Sequence, residues 1–443
     1  MGRKLFFSSH FRPVGQGLFA HGYLQMFDDE NNGILSPIGK KFEWVNDCGT
    51  SSRISYLQSQ IDAYKIHNTA DIDLLVMSHF DKDHVEGIKD LLSQKKAKII
   101  IAPYLTLDQR ARMLSTLNPS EVEFASWVLK PGDTLRRYAG VDANIFLVRH
   151  GGETPLGNQE PNGENFTPFD EPIYSPEESS SDFTASEMDP DRKEQNSNLK
   201  IIDGYLPLRF GNIWEFCFCQ VPPAPEDPIF QLGIKKELQR FKGSAQGGVD
   251  YEMLINNLKK VFTNNIPGAD PRISDPNEIS VVMYSGPIRL DASHCINDSV
   301  PWITPNKITP SATIQNLDRW PPLISTKTRR CSSLFTGDLT LDENAYDKIE
   351  KQFTKDRLNF VSYFVVPHHG SKHSYHLSKR RFSPDFSIFS SARYHAGFDH
   401  PSKESITKLI HCGPTFVNEF QGITFGGYVI PQLKPCLSDS LTR

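Results

Sequence analysis

Short uninterrupted apolar runs alternate with amphipathic stretches along the first 150 residues, which is the pattern of an α/β domain. Residues 42–47, 72–78 and 98–102 read as buried strands, because each run is apolar and too short for a helix. Between the first two, Ile54, Leu57, Ile61 and Tyr64 recur at helical spacing behind the cap-like Thr50-Ser51-Ser52, predicting a helix. A short helix over 85–93 is expected next. A second α/β half opens near Glu278, with strands at 279–285, 332–336, 360–366 and 386–391 and helices at 342–357 and 402–411. The alternation in both halves suits a sandwich of two sheets flanked by helices.

The pattern breaks in the middle. From Gly151 to about Asn198 the chain is rich in Pro, Glu, Asp, Ser and Asn with almost no apolar periodicity. Such sequence buries too little surface to offset its ordering entropy, so 151–198 is expected to be a flexible acidic insertion. Order returns at 199–219, and helical patterns at 228–241 and 249–263 predict a small cap. The expected organisation is a first half over 1–150, the acidic insertion over 151–198, a helical cap or insertion over 199–276, and a second half over 277–443.

Composition narrows the class. The chain has 443 residues, 38% hydrophobic and 23% charged, enough for one large domain or two ordinary ones. Its net charge of −5 gives no bulk attraction to nucleic acid or anionic membrane, so an anionic substrate would need a local patch. The seven cysteines include no CxxC pair and one CxC at Cys217 and Cys219, as expected of reduced, mostly buried thiols. No apolar stretch is long enough for a signal peptide or a membrane span, and a cytoplasmic protein without a membrane partner is expected.

The chemistry concentrates at strand exits. Ser78-His79-Phe80-Asp81-Lys82-Asp83-His84 leaves the apolar run 72–78 with four potential ligands in six residues. In a tight loop one short segment can serve two adjacent ions, His79 and Asp81 on the first, Asp83 and His84 on the second. Imidazoles with carboxylates suit Zn²⁺, Mn²⁺ or Fe²⁺ better than a hard-oxygen Ca²⁺ site. Three more exits repeat the arrangement: Gly337-Asp338, His368-His369-Gly370-Ser371, and His400-Pro401-Ser402.

The order HxDxDH, GD, HHGS, HPS resembles the soluble metallo-β-lactamase-like domain of ComEC-type competence proteins. Val14-Gly15-Gln16-Gly17, Asn46-Asp47-Cys48-Gly49 and Asn277-Glu278-Ile279-Ser280 agree with it. The likeness spans roughly residues 10–110 and 277–411, not the intervening insertions. It implies an αββα metallo-β-lactamase sandwich with two divalent metal ions. Asp338 then matches the bridging carboxylate, His400 the last metal histidine, and Asp47 an acid that orients a ligand. His368 and His369 match a pair that binds metal, clamps substrate or acts as an acid. Asp81 departs from the broader pattern, which has histidine there. A histidine usual ahead of the GD strand is also replaced, with His150 as a candidate substitute.

Two ions sharing a hydroxide make a nucleophile near neutral pH, so no serine or cysteine nucleophile is needed, and no GxSxG occurs. Asp83, His368 and His369 are the candidate catalytic residues, one of the two histidines supplying the leaving-group proton. The carboxylate-rich set, and basic residues at Lys82, Arg329, Arg330, Lys372, Lys379, Arg380, Arg381 and Arg393, favour a phosphodiesterase or DNase acting on nucleic acid. The resemblance itself implies a DNA-degrading hydrolase. A lactone, thioester or small-ester hydrolase of the same fold is the alternative, and a non-catalytic binding or scaffold protein the alternative of another class. A di-iron electron-transfer protein is more distant, since no flavin module accompanies the motifs.

Overall fold

The computed structural model describes residues 2–29, 35–116, 122–140, 142–150, 173–174, 198–211, 213–221, 253, 255–258, 260, 279–288, 295–296, 304–305, 330–378, 381–393 and 399–429. Two mixed sheets stack face to face. The first begins with β1 (Gly2–Phe11), β2 (Ala20–Asp29) and β3 (Leu35–Asn46) as an antiparallel meander. From β3 onward, β4 (Ile72–Val76), β5 (Ala97–Pro103), β6 (Asn144–Arg149) and, past β7 (Ile173–Tyr174) of the other sheet, β8 (Leu199–Asp203) continue it in parallel.

The second sheet holds β7, β9 (Tyr205–Phe210), β10 (Trp214–Gln220) and β11 (Val281–Pro287), all antiparallel. The short β12 (Cys295–Ile296) and β13 (Thr304–Pro305) instead pair with the C-terminal strand of the first sheet. Then β14 (Ser332–Phe335), β15 (Val361–Val365), β16 (Phe386–Ser390) and β17 (Pro414–Val417) run parallel to one another in the second sheet. The chain returns as β18 (Gln421–Val429), which pairs with β1 in the first sheet.

Alternation along the strands sorts the apolar side chains into three layers. Leu74, Val76, Ile99 and Ile101 meet Phe216, Phe218, Met283 and Phe335 between the sheets. Val45, Leu75, Ile100 and Leu147 point the other way, onto Leu57, Ile61 and Tyr64 of the helix Ile54–His67 and onto Leu91 and Leu135. On the far side Val282, Leu334 and Phe364 pack on Tyr346, Ile349 and Phe353 of the helix Glu343–Phe353. The result is an α/β sandwich with helices over both sheets.

The differences from the sequence reading have local causes. The helix expected over 342–357 is two, Glu343–Phe353 and Lys355–Asn359, because Thr354 between them has φ +69°. The turn before 85–93 is itself helical over Lys82–Val85, with Ile88–Leu92 following. Residues 199–220 form β8, β9 and β10 of the two sheets rather than the start of a helical cap. Tyr205–Phe210 alternates half-buried and buried positions, a strand's period, and Trp214–Gln220 is buried throughout. The helical pattern at 228–241 lies outside the described residues, while 255–258 are helical and bury Ile255 and Leu258. Most of 151–198 also lies outside them, apart from Ile173–Tyr174, which pairs with Leu208 and Arg209, and Asn198 beside β8.

Candidate metal centre

In a parallel sheet the exits of all strands share one edge, where side chains from several segments can converge. Asp47 follows β3, the 78–84 turn follows β4, Thr336-Gly337-Asp338 follows β14, and His368-His369 follows β15. The two sheets are joined at this edge by the Val281 amide, which donates to the Ser78 carbonyl at 2.7 Å.

Close approach of backbone makes the convergence possible. A side chain at Gly337, whose φ is +55°, would meet Ser280 Oγ at 2.7 Å and Ser78 Cβ at 3.0 Å. Gly337 is thus the residue that lets Asp338 be carried up against the 78–84 turn. The Asp338 amide donates to Ser280 Oγ at 3.1 Å, and the His368 amide to the Gly337 carbonyl at 3.1 Å.

Asp338 sits at the centre, buried, with four imidazoles around its carboxylate. Oδ1 lies 3.1 Å from His84 Nε2 and 3.9 Å from His369 Nε2; Oδ2 lies 3.6 Å from His79 Nε2 and 3.8 Å from His368 Nε2. Asp83 Oδ2 lies 3.3 Å from His369 Nε2, and Asp81 Oδ2 lies 3.7 Å from His79 Nε2. Two tight groups follow, His79 with His84 and Asp338, and Asp83 with His84 and His369. Sequence spacing placed His79 with Asp81 and His84 with Asp83. The structure keeps both neighbourhoods but sets His84 between the two groups and brings His369 to the second. His400 joins neither: its ring centroid is 5.5 Å from that of His368.

The outer nitrogens are fixed. His84 Nδ1 is 2.9 Å from Asp47 Oδ2, and His369 Nδ1 is 2.6 Å from the Ser390 carbonyl. Facing a carbonyl, that Nδ1 must donate, so in the neutral ring Nε2 is the nitrogen with the lone pair. Asp47 is bound in turn by the Ser78 amide and hydroxyl, each at 2.7 Å, and by Asn46 Nδ2 at 3.1 Å. Three of these residues have left-handed backbone: Asp47 at φ +54°, His368 at +47° and His369 at +55°. Such conformations cost about 1–3 kcal/mol each outside glycine and persist where surrounding structure imposes them, often at functional sites.

Charge is distributed to match. Burial pushes the Asp338 carboxyl up, but His84, His368, His79 and His369 outweigh it and hold it well below the usual carboxylate range. Burial pulls the His84 imidazole down, and Asp338 and Asp47 more than reverse this, leaving it well above the ordinary value. Asp83 is raised by burial and then brought to about 2 by His369 and His84. His400 is lowered to about 4 by burial and by the neighbouring His368 and His369.

The residues fit a metal ion. His79 Nε2, His84 Nε2, His369 Nε2 and Asp338 Oδ1 are all buried without a hydrogen-bond partner, and all point at a shared space. Leaving one buried polar atom unpaired costs about 1–3 kcal/mol, so four converging ones call for a cation that displaces any ring proton and takes their lone pairs. A divalent cation does so, and nitrogen–carboxylate sets are its common cage.

Three serines gain a role only in the structure. Ser78, Ser280 and Ser390 are buried and orient Asp47, Asp338 and His369. Their signal was a serine beside an apolar strand end, too common to stand out. His150 exits β6 on the same edge, its amide donating to Gln220 Oε1 at 3.0 Å, but it joins neither ligand group. Asn277 and Glu278 lie outside the described residues. The basic residues are largely engaged: Arg330 with Asp385, Arg381 with Asp347 and Glu350, and Lys82 with Glu86 at 3.4 Å. Lys372 is exposed, and Arg329, Lys379 and Arg380 lie outside the described residues. Cys217 and Cys219 are buried free thiols, and the Tyr205 hydroxyl donates to Cys217 Sγ at 2.7 Å. Among the described residues no helix is long and apolar enough to cross a membrane.

No family model and no curated protein matches the chain. Among solved structures it is similar to a long form RNase Z from yeast, at 10% identity and a TM-score of 0.18. That likeness covers 50% of this chain and 28% of the other, so the chain spans little over a quarter of it. A similarity this slight carries neither fold nor activity from one protein to the other.

Proposed function

We propose that the chain is a metal-dependent hydrolase of the metallo-β-lactamase type, cleaving phosphodiesters of nucleic acid. The observation that carries the reading is the convergence of unpartnered nitrogens from His79, His84 and His369 on the Asp338 carboxylate, at the shared edge of a two-sheet sandwich. One ion would be held by His79, Asp81 and Asp338, with His368 alongside. A second would be held by Asp83, His84 and His369, Asp338 bridging the two. His400 then supports His368 rather than completing the second position. Zn²⁺ and Mn²⁺ both suit the donors; a carboxylate at Asp81 where the broader pattern has histidine favours the harder ion.

Bound ions of this kind supply an activated water and stabilise charge on the attacked centre. The protein's own part is orientation and proton handling. Asp47 and Ser390 fix two ring tautomers, which removes their reorganisation from the reaction. His368, part-exposed beside Asp338, is placed to give the leaving oxygen its proton. Phosphodiesters are preferred to lactones and thioesters because three carboxylates in the cage favour ions that also take phosphate oxygens.

Metal content by mass spectrometry, followed by turnover of plasmid, single strands, bis-p-nitrophenyl phosphate and a lactone panel with added Mn²⁺ or Zn²⁺, tests the reading. Two equivalents of ion and diester turnover are expected. Lactone turnover alone would replace the substrate class. No bound ion at saturating metal would end the hydrolase reading and leave a binding or scaffold role.

A further inference from the structure

Beside the metal centre lies a small aromatic and cationic surface that the proposed chemistry does not use. Phe420 and Ile54 expose 48% and 49% of their surface, and the rings of Phe420 and Tyr56 meet edge to face at 6.4 Å. Arg53, which precedes Ile54, and Arg393, whose amide meets Glu419 next to Phe420, are both exposed. The backbone beneath Phe420 is tied down, since its amide and that of Gln421 donate to Asn418 Oδ1 at 2.8 and 3.1 Å.

Two loops tie this surface to the ligands. On one side His369 Nδ1 meets the Ser390 carbonyl, three residues before Arg393, whose amide donates to Glu419 Oε2 at 2.9 Å. On the other, Leu18 donates to the Asp83 carbonyl at 3.1 Å, and Ser52 Oγ accepts from the adjoining Gln16 at 2.9 Å, one residue before Arg53. The surface therefore starts within a few residues of Asp83 and His369.

We propose that Tyr56 and Phe420, flanked by Arg53 and Arg393, form a stacking platform for an unpaired base of single-stranded nucleic acid entering the metal centre. The inference rests on the phosphodiester reading and sharpens it from nucleic acid to single strands. An exposed aromatic face accepts any base, and guanidinium groups at its margin suit the backbone charge. A base inside a duplex is already stacked and gains nothing here, so the platform also discriminates between strand forms.

The test is equilibrium binding by full-length, EDTA-treated protein of a fluorescein-labelled oligothymidylate, a matching abasic strand and a duplex, read by anisotropy at fixed salt. Phe420→Ala should weaken oligothymidylate binding by about 5- to 150-fold and leave the abasic strand unaffected. Arg53→Ala should weaken both and lower the salt slope by about one. Turnover of bis-p-nitrophenyl phosphate with added metal should not change in Phe420→Ala, since that substrate is too small to need the platform. Equal affinities of wild type and Phe420→Ala, wild type that binds no single strand, or a dimer dissolved by Phe420→Ala would each overturn the platform. Strand binding that depends on Phe420 in a protein without diester turnover would uphold it and sink the hydrolase reading instead.

Discussion

Replacing Asp47 by asparagine probes how the centre is prepared for metal. The residue is fully buried at φ +54°, a conformation asparagine tolerates, so the backbone should stay in place. In the wild type the carboxylate accepts from the Ser78 amide at 2.7 Å and from His84 Nδ1 at 2.9 Å. An asparagine keeps its oxygen on the Ser78 amide and turns its NH₂ towards His84 Nδ1. That NH₂ can only donate, which drives the imidazole proton to Nε2, 3.1 Å from Asp338 Oδ1. The nitrogen meant for metal then carries a hydrogen. Loss of such a supporting carboxylate lowers metal affinity about 10- to 100-fold, equivalent to about 1.4–2.7 kcal/mol. Competition titration with a chromophoric chelator measures it, and a metal-free thermal melt checks that the fold survives. A dissociation constant within a factor of two of wild type would refute the argument that Asp47 sets the tautomer.

Three further outcomes are expected. His10 and His21 stack at 4.7 Å beneath the helix Ile54–His67, and burial with Arg12 beside them lowers His10 to about 3 and His21 well below its ordinary value. The unfolded chain takes up their protons near 6.5, so stability should fall from about pH 6.5 towards 3, by up to about 1.4 kcal/mol per unit per ring. Denaturant melts of His10→Gln/His21→Gln should lose this part of the slope, and an unchanged slope would contradict it. Glu215 is fully buried and paired with Arg357 Nε at 2.6 Å; Arg357→Met should destabilise by about 3–5 kcal/mol, with most of it restored by Glu215→Leu in the same chain. Urea melts that show no rescue would mean the cost lies in packing. At His368, φ +47°, glycine should be more stable than alanine by about 1 kcal/mol in metal-free protein, measured by thermal melts; parity would show that the turn relaxes.

The candidate site was legible because its residues stand at strand exits, where an apolar run ending in His or Asp is a local pattern. Grouping them was not. Alternation along 79–84 suggests separate pairs, yet His84 Nε2 points between two sets because Asp47, thirty-seven residues away, holds its other nitrogen. His369 reaches Asp83 and His84 through a left-handed turn that no side chain in HHGS announces, while His400 lies beside His368. The sandwich was legible from its fully buried parallel strands. The meander β1–β2 was not, since its faces are mixed: Ser8 and Ser9 are buried in a strand that also carries Arg3, Lys4 and His10. The three strands over 199–220 were hidden by the helical patterns that follow them, although Tyr205–Phe210 carries a two-residue period.

Pairing of β1 with β18, Leu5 opposite Val429, bears on the order in which the molecule is made. A ribosome delivers the 79–84 turn early and Asp338, His369 and β18 hundreds of residues later. Until then the first strand keeps a raw edge, open to stray pairing, and His84 Nε2 lacks Asp338 opposite it. Closure across so long a separation is slow, because loop entropy is spent before the contacts repay it. On the hydrolase reading proposed above, a half-made chain would lack Asp338, and turnover would begin only once synthesis has passed the second sheet.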